Sequence, residues 1–150
     1  MTKIIVQSVR LHCSTERAFE LFTENEQLQN WLTAIADVEP RVGGRYELFW
    51  EPDDQERNNT RGCKITALEP DTLLAFEWKG PPQFRFMNEV DPLTHVTVFF
   101  SSCAEVLTPC TDVYLIHTGW GAGSDWEEAR TYFVRAWDGA FSELATLING

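Results

Sequence analysis

Three histidines, four cysteines and 23 carboxylates are this chain's stock of reactive side chains, and their spacing excludes most of the chemistry they could do. Cys13, Cys63, Cys103 and Cys110 form no C-x-x-C pair, and His12, His95 and His117 do not cluster with them. A zinc site needs closely spaced ligand pairs, so neither a metal nor another cofactor is expected. The cysteines read as small, half-buried, reduced thiols, with Cys103 and Cys110 able to face each other across a hairpin only as an accident of oxidation. His117 is the exception among the titratable groups. Alternation places it on the same strand face as Val113 and Leu115, where it can serve as an acid, a base or a hydrogen-bonding group. No carboxylate or nucleophile near it in sequence completes a catalytic pair. An imidazole bonded to backbone or water at a sheet end is therefore the simpler reading, and an enzyme is the weakest of the functional ones.

Gly119-Trp120-Gly121-Ala122-Gly123-Ser124 has the look of half a phosphate-cradling loop, but a dinucleotide fingerprint needs a further strand after its helix and none follows. Asp125, Glu127 and Glu128 also occupy the first helical turn, where they repel an anion. The formal charge of −11 over 150 residues opposes phosphate backbones and anionic lipid, so nucleic acid and membrane surfaces are poor partners. Ile4, Ile5 and Val6 form too short an apolar run for a signal segment or a membrane span, and a cytoplasmic protein is expected.

The elements that must position these residues follow from periodicity. The first ten residues, β-branched and ending near Leu11, predict a strand. Ser14 predicts a helix N-cap, and Thr23-Glu24-Asn25-Glu26 fits a capping box for a second short helix with Leu28, Trp31, Leu32 and Ile35 on its apolar face. Tyr46, Leu48 and Trp50 alternate after Gly43-Gly44, and residues 52–60 are a polar hairpin tip. Cys63, Ile65 and Ala67 then alternate, followed by Leu74, Phe76 and Trp78. Glu47, Glu77, Arg45 and Lys79 are expected to form cross-strand ion pairs on the other face. Phe84, Phe86 and Met87 fall in a connection, Val96, Val98 and Phe100 begin a strand running towards Leu107, and residues 111–118 form the last strand. Consecutive hairpins of this kind predict an antiparallel sheet. Ser124-Asp125-Trp126-Glu127 reads as a second capping box. Behind it Trp126, Ala129, Phe133, Trp137, Ala140, Phe141, Leu144 and Ile148 recur over more than six turns of one helix. Gly139 in its middle is expected at a close contact or a bend.

Six Trp, ten Phe and three Tyr are more aromatic surface than such a layout ordinarily needs. Trp31, Tyr46, Trp50, Phe76, Trp78, Phe100, Phe133, Trp137 and Phe141 are all predicted to face between sheet and helix, filling a core or lining a pocket.

Trp31, Gly43-Gly44 with Tyr46, Gly62, Pro70, Phe76-Glu77-Trp78, Thr97, His117-Thr118-Gly119-Trp120 and a last helix containing Trp137 form an ordered set. It resembles the single-domain relatives of the activator of heat-shock protein 90 ATPase, within the START-like (SRPBCC) superfamily. The resemblance runs from about Ile4 to Ile148. It implies one α+β domain over residues 1–150 with a helix-grip fold: a curved antiparallel sheet around a long C-terminal helix, two short helices after the first strand, and the order β-α-α-β-β-β-β-β-α. It also implies a cavity between sheet and last helix, lined at Trp31, Tyr46, Leu48, Phe76, Trp78, Val98, Leu115, His117, Phe133 and Trp137, with Gly80 to Pro92 as its gate. The expected function is binding of a small apolar or amphipathic molecule in that cavity, without catalysis. The alternative is a protein-interaction module acting on a chaperone through its acidic surface. A homodimer follows if Phe49, Tyr114 or Ile116 form an exposed outer patch.

Overall fold

The computed structural model describes residues 3–103 and 107–150. Strand β1 (Ile5–Leu11) leads into helix α1 (Thr15–Thr23), where the Ser14 side chain accepts the Arg17 N–H and supplies the expected cap. Helix α2 (Asn25–Trp31) starts differently from expectation. Its cap position is Glu24 with no side-chain bond, because the Thr23 hydroxyl donates back to Phe19 O at 2.9 Å inside α1. A threonine that bonds its own helix is not free to cap the next.

Ile35 opens an unforeseen strand, β2 (Ile35–Val38), paired antiparallel with β3 (Tyr46–Phe49). Its other edge is covered from α2. Asn25 Oδ1 accepts Val38 N–H at 2.8 Å and Gln29 Oε1 accepts Ala36 N–H at 3.0 Å. Two amide side chains thus stand where a neighbouring strand would. The implied order is therefore one strand short.

Strands β4 (Ile65–Glu69), β5 (Leu73–Glu77), β6 (His95–Ser102) and β7 (Thr111–Thr118) join β1 in a five-stranded antiparallel sheet ordered β1-β7-β6-β5-β4. The expected run of β6 towards Leu107 passes through residues 104–106, which lie outside the described residues, as do residues 1–2 of the first strand. Cys103 and Cys110 follow and precede the paired ends of β6 and β7, and they form a disulfide with Cα atoms 5.1 Å apart. That corrects the reading of four reduced thiols: the β6–β7 register sets their backbones at bonding distance. Cys63 is a buried free thiol, and burial pushes its pKa up to about 12.

The final helix α3 (Ser124–Asn149) presents Ala129, Phe133, Trp137, Phe141 and Leu144 to the core, completing the curved sheet around a long C-terminal helix. Its cap is Gly123 rather than a capping box, and Ser124 is already the first helical residue. At the far end Asn149 accepts His12 N–H at 2.8 Å and donates to Arg10 O at 2.9 Å, fastening the helix to the β1 edge.

Gly139 is not at a close contact: among the described residues a Cβ there would meet no atom within 4 Å beyond the helix's own backbone. Gly139→Ala is therefore expected to raise stability by about 1 kcal/mol, since it removes the helix penalty of glycine without a steric cost. Urea denaturation of the two proteins checks it, and a loss of stability would contradict this geometry.

Candidate functional site

The deep core is closely filled. Phe22, Tyr46, Leu48, Phe76, Leu74 and Leu115 are among its fully buried side chains. Tyr46 stacks on Phe76 at 3.8 Å between ring centroids, and its hydroxyl donates to Phe22 O at 2.7 Å. Burial raises its pKa above the ordinary tyrosine range. Val98 and Phe100 lie in the same core with Trp31 and Phe141, and Phe22 meets Trp31, Phe100 and Phe141 edge to face. These contacts occupy the space between sheet and helix over most of its length.

His117 sits at one end of this core, wholly buried. The Trp137 indole N–H donates to its Nδ1 at 3.1 Å, and Nε2 stands 3.0 Å from Thr94 Oγ1. An indole can only donate, so Nδ1 must accept, the ring proton sits on Nε2, and Thr94 accepts it. Burial pushes the His117 pKa down to about 3, with His95 adding in the same direction. Trp120 caps the arrangement by donating to His117 O at 3.0 Å. Gly119 permits it, with φ +91° and a backbone approach to Thr94 so close that a Cβ would lie 3.2 Å from its Cα. Both imidazole nitrogens are thus engaged in holding β7, α3 and the turn before β6 together. Thr94 and Trp120, the partners that sequence periodicity left out, lie in connections where no alternation marks a facing direction. Among the described residues no group of three His, Cys, Asp or Glu could hold a metal ion.

Beside this network the core opens. A cleft of about 130 Å³ lies between α3 and the β3 and β5 ends, with Trp50, Trp78, Phe133 and Trp137 in its wall. Leu32, Tyr132, Ala136 and Ala140 add apolar surface, while Asn58 and Lys79 stand at its polar side. Tyr132 and Ala136 also border an open groove of about 820 Å³ that follows α3 past Phe84 to Ser124. Of the residues expected to line a cavity, Trp50, Trp78, Phe133 and Trp137 meet at the cleft and Phe84 at the groove. Phe84 and Phe86 together border a smaller hollow beside Asp125. Trp31, Tyr46, Leu48, Phe76, Met87, Val98, Phe100, Leu115, His117 and Phe141 are not in the cleft wall; all ten are buried.

Four of the six indole nitrogens donate a hydrogen bond. Trp31 donates to Leu21 O and Trp50 to Leu32 O, each at 2.8 Å, while Trp120 and Trp137 bond His117. Trp78 is 3% exposed, yet its Nε1 has no hydrogen-bond partner among the described residues. It stands in the cleft wall at 5.1 Å from the Trp137 ring and 5.7 Å from the Trp50 ring.

The segment expected to gate the cavity is 3₁₀ turns over Pro82–Asn88, kinked at Phe84. Asn88 pins it, accepting Gly80 N–H at 2.8 Å and donating to Gly80 O at 3.2 Å. Phe84 packs on Tyr132 and Phe86 on Trp126, so the segment lies directly against α3. Three of the four residues expected in cross-strand ion pairs bond the backbone instead. Glu47 accepts Gly62 N–H, Glu77 accepts Lys64 N–H, and Lys79 donates to Arg61 O at 2.6 Å. Arg45 does pair across strands, with Asp37 of β2 at 3.2 Å and with Glu39 at 3.6 Å. Phe49 is buried beneath the Arg61 guanidinium rather than exposed.

Solved structures that share this architecture include three at low sequence identity. A structure of protein MLL2253 from Mesorhizobium loti is 21% identical, with a TM-score of 0.73 over 98% of this chain and 97% of that one. PFC0360w, described as an HSP90 activator from Plasmodium falciparum, is 20% identical with a TM-score of 0.71 over 97% and 96% of the two chains. The Aha1 dimer from Colwellia psychrerythraea is 17% identical with a TM-score of 0.69 over 97% and 96%. At these identities the likeness concerns the fold. No curated protein matches the chain in sequence. The family model for "Activator of Hsp90 ATPase homolog 1-like protein", however, matches residues 12–149, and on that match the chain belongs to this family.

Proposed function

We propose that this protein binds a small apolar or amphipathic molecule, seating a ring among Trp50, Trp78 and Trp137. The observation that carries the reading is the Trp78 indole N–H. Four indoles in or against the core make hydrogen bonds, whereas this one is buried without a partner in the wall of the cleft. A buried unsatisfied donor costs about 1–3 kcal/mol; this N–H has no surface open to solvent, so an acceptor atom on a ligand offsets the cost once the neighbouring rings part. The volume limits the ligand: an apolar cavity of about 150 Å³ is known to accept benzene, so about 130 Å³ suits one ring, with any remainder lying along the α3 groove.

Native mass spectrometry of protein purified from its own host tests this, with Ala136→Phe as the control. Ala136 is an exposed helical residue bordering both cleft and groove, so phenylalanine there obstructs the site without disturbing the core. A co-purifying molecule lost in the variant is the expected result. An apo mass in both, with no movement of the Trp78 indole signal when benzyl alcohol is titrated, would overturn the reading.

A second reading, contact with a protein partner, is favoured by the outer sheet face. Phe99 and Tyr114 are paired across β6 and β7 and are 41% and 43% exposed, with Val6 of β1 at 61%. The family name points to a chaperone as that partner, and the dimeric relative to a second copy. Failure to stimulate a heat-shock protein 90 ATPase at low salt, together with a monomer in sedimentation, would remove it.

A further inference from the structure

The cleft has a charged neighbour. A polar pocket of about 540 Å³ adjoins it, bordered by Arg57, Arg61, Lys79 and Arg85. Those are four of the twelve lysines and arginines in a chain whose formal charge is −11. Two carboxylates, Glu56 and Glu89, share the lining. Arg61 pairs with Glu56, and Arg57 reaches Glu51 at 3.6 Å. The other two cations have no carboxylate oxygen within 4 Å among the described residues. Lys79 donates only to the Arg61 carbonyl, and the Arg85 guanidinium has no ion pair or hydrogen bond among the described residues. Lys79 borders both spaces, the aromatic cleft on one side and the cationic pocket on the other.

We infer that the pocket is an anion subsite of the cleft, and that the molecule bound is a small ring-bearing organic acid, a carboxylate or phosphate ester. Its ring lies against Trp50, Trp78 and Trp137 and its anionic group rests on Lys79 and Arg85. This deepens the proposed function and rests on it. The chemistry is that of a divided site. The apolar wall supplies contact area without charge preference, and two unpaired cations supply the selectivity, because charge-assisted hydrogen bonds are about twice as strong as neutral ones. The net negative charge of the chain works against anions at long range, so the preference depends on direct contact.

Matched one-ring probes separate the two layers: benzoate, phenyl phosphate, benzyl alcohol and inorganic phosphate, titrated against the indole N–H and backbone signals by NMR. At low ionic strength benzoate and phenyl phosphate are expected to bind about tenfold more tightly than benzyl alcohol. That advantage should shrink at high salt. The double variant Lys79→Gln/Arg85→Gln should abolish it, and Arg85→Gln alone, at an exposed residue outside the cleft wall, should reduce it while leaving benzyl alcohol within about twofold of wild type. Equal affinity of acids and alcohol in the wild-type protein, or an advantage that survives the double variant, would overturn the subsite and leave the cleft reading intact. Inorganic phosphate binding as tightly as phenyl phosphate would also overturn it, since the pocket would then serve free anions independently of the ring. If none of the four probes binds, the cleft reading falls and the subsite with it.

Discussion

Lowering the pH from 7 to 5 is expected to remove about 2 kcal/mol of folding stability through His117 alone. The imidazole titrates near 6.5 in the unfolded chain and near 3 in the folded one, where it is fully buried. Between those values the unfolded state binds the extra proton, so acid favours unfolding. Stability from this group is complete above about pH 6.5 and is lost as pH falls, at about 1.4 kcal/mol per unit, reaching about 4 kcal/mol near pH 3. His95 has its pKa lowered by partial burial and acts in the same direction, but it is only partly buried and contributes less. Asp112 and Glu127 are held below the usual carboxylate range by hydrogen bonds from Arg10 and Arg130, and their effects begin only in stronger acid. Urea midpoints measured between pH 7 and 4 read the slope. His117→Gln, which keeps an acceptor and a donor but does not titrate, should remove about one proton's worth of it; an unchanged slope would show that the imidazole is not held neutral.

The largest loss from a single substitution is expected at Trp137. Trp137→Ala removes an indole that is 3% exposed and packs on Trp78, Phe141 and His117. Truncations of this kind cost about 3–5 kcal/mol. Trp137→Phe is the informative companion. It retains most of the packing but takes the N–H away from His117 Nδ1, which should cost about 1–3 kcal/mol. It should also raise the imidazole pKa, because the uncovered lone pair can now take a proton. The acid transition of Trp137→Phe would then begin at higher pH than that of the parent. Because the two residues share one bond, the Trp137→Phe and His117→Leu effects, each of which removes it, should sum to more than the double variant loses. Strict additivity would mean that the bond contributes nothing.

Alternation and helical periodicity made most of this fold legible before any coordinates. Val113, Leu115 and His117 do point inward from β7, and the α3 stripe from Ala129 to Leu144 is buried. What escaped were features determined by side chains reaching across sequence. Strand β2 exists because Asn25 and Gln29 cover its edge, and nothing in the residues 35–38 announces that. Both capping boxes had the right letters, but Thr23 spends its hydroxyl on α1 and Gly123 supplies the cap of α3. The aromatic excess was visible, yet periodicity cannot distinguish a ring that fills a core from one that borders a space. Tyr46 and Phe76 stack and close the interior, while Trp50 and Trp78, two strands away from each other in sequence, leave the cleft beside them. The pocket of Arg57, Arg61, Lys79 and Arg85 was illegible for the same reason: it draws on the hairpin tip and the 3₁₀ segment, which meet only in the folded chain.

The fastening of Asn149 to His12 and Arg10 spans 137 and 139 residues, and the strand that β1 pairs with among the described residues is β7. During synthesis the chain therefore makes its first strand early and can satisfy it last. While the ribosome is still adding β2 to β6, the β-branched segment Ile5–Leu11 has an unpaired backbone on both edges. The central hairpins can assemble from neighbours in sequence, whereas closure around α3 must wait for nearly the whole chain, as topologies with many distant contacts require. A growing chain arrested before α3 would present that strand, together with the aromatic face of the sheet, to whatever chaperone stands at the exit.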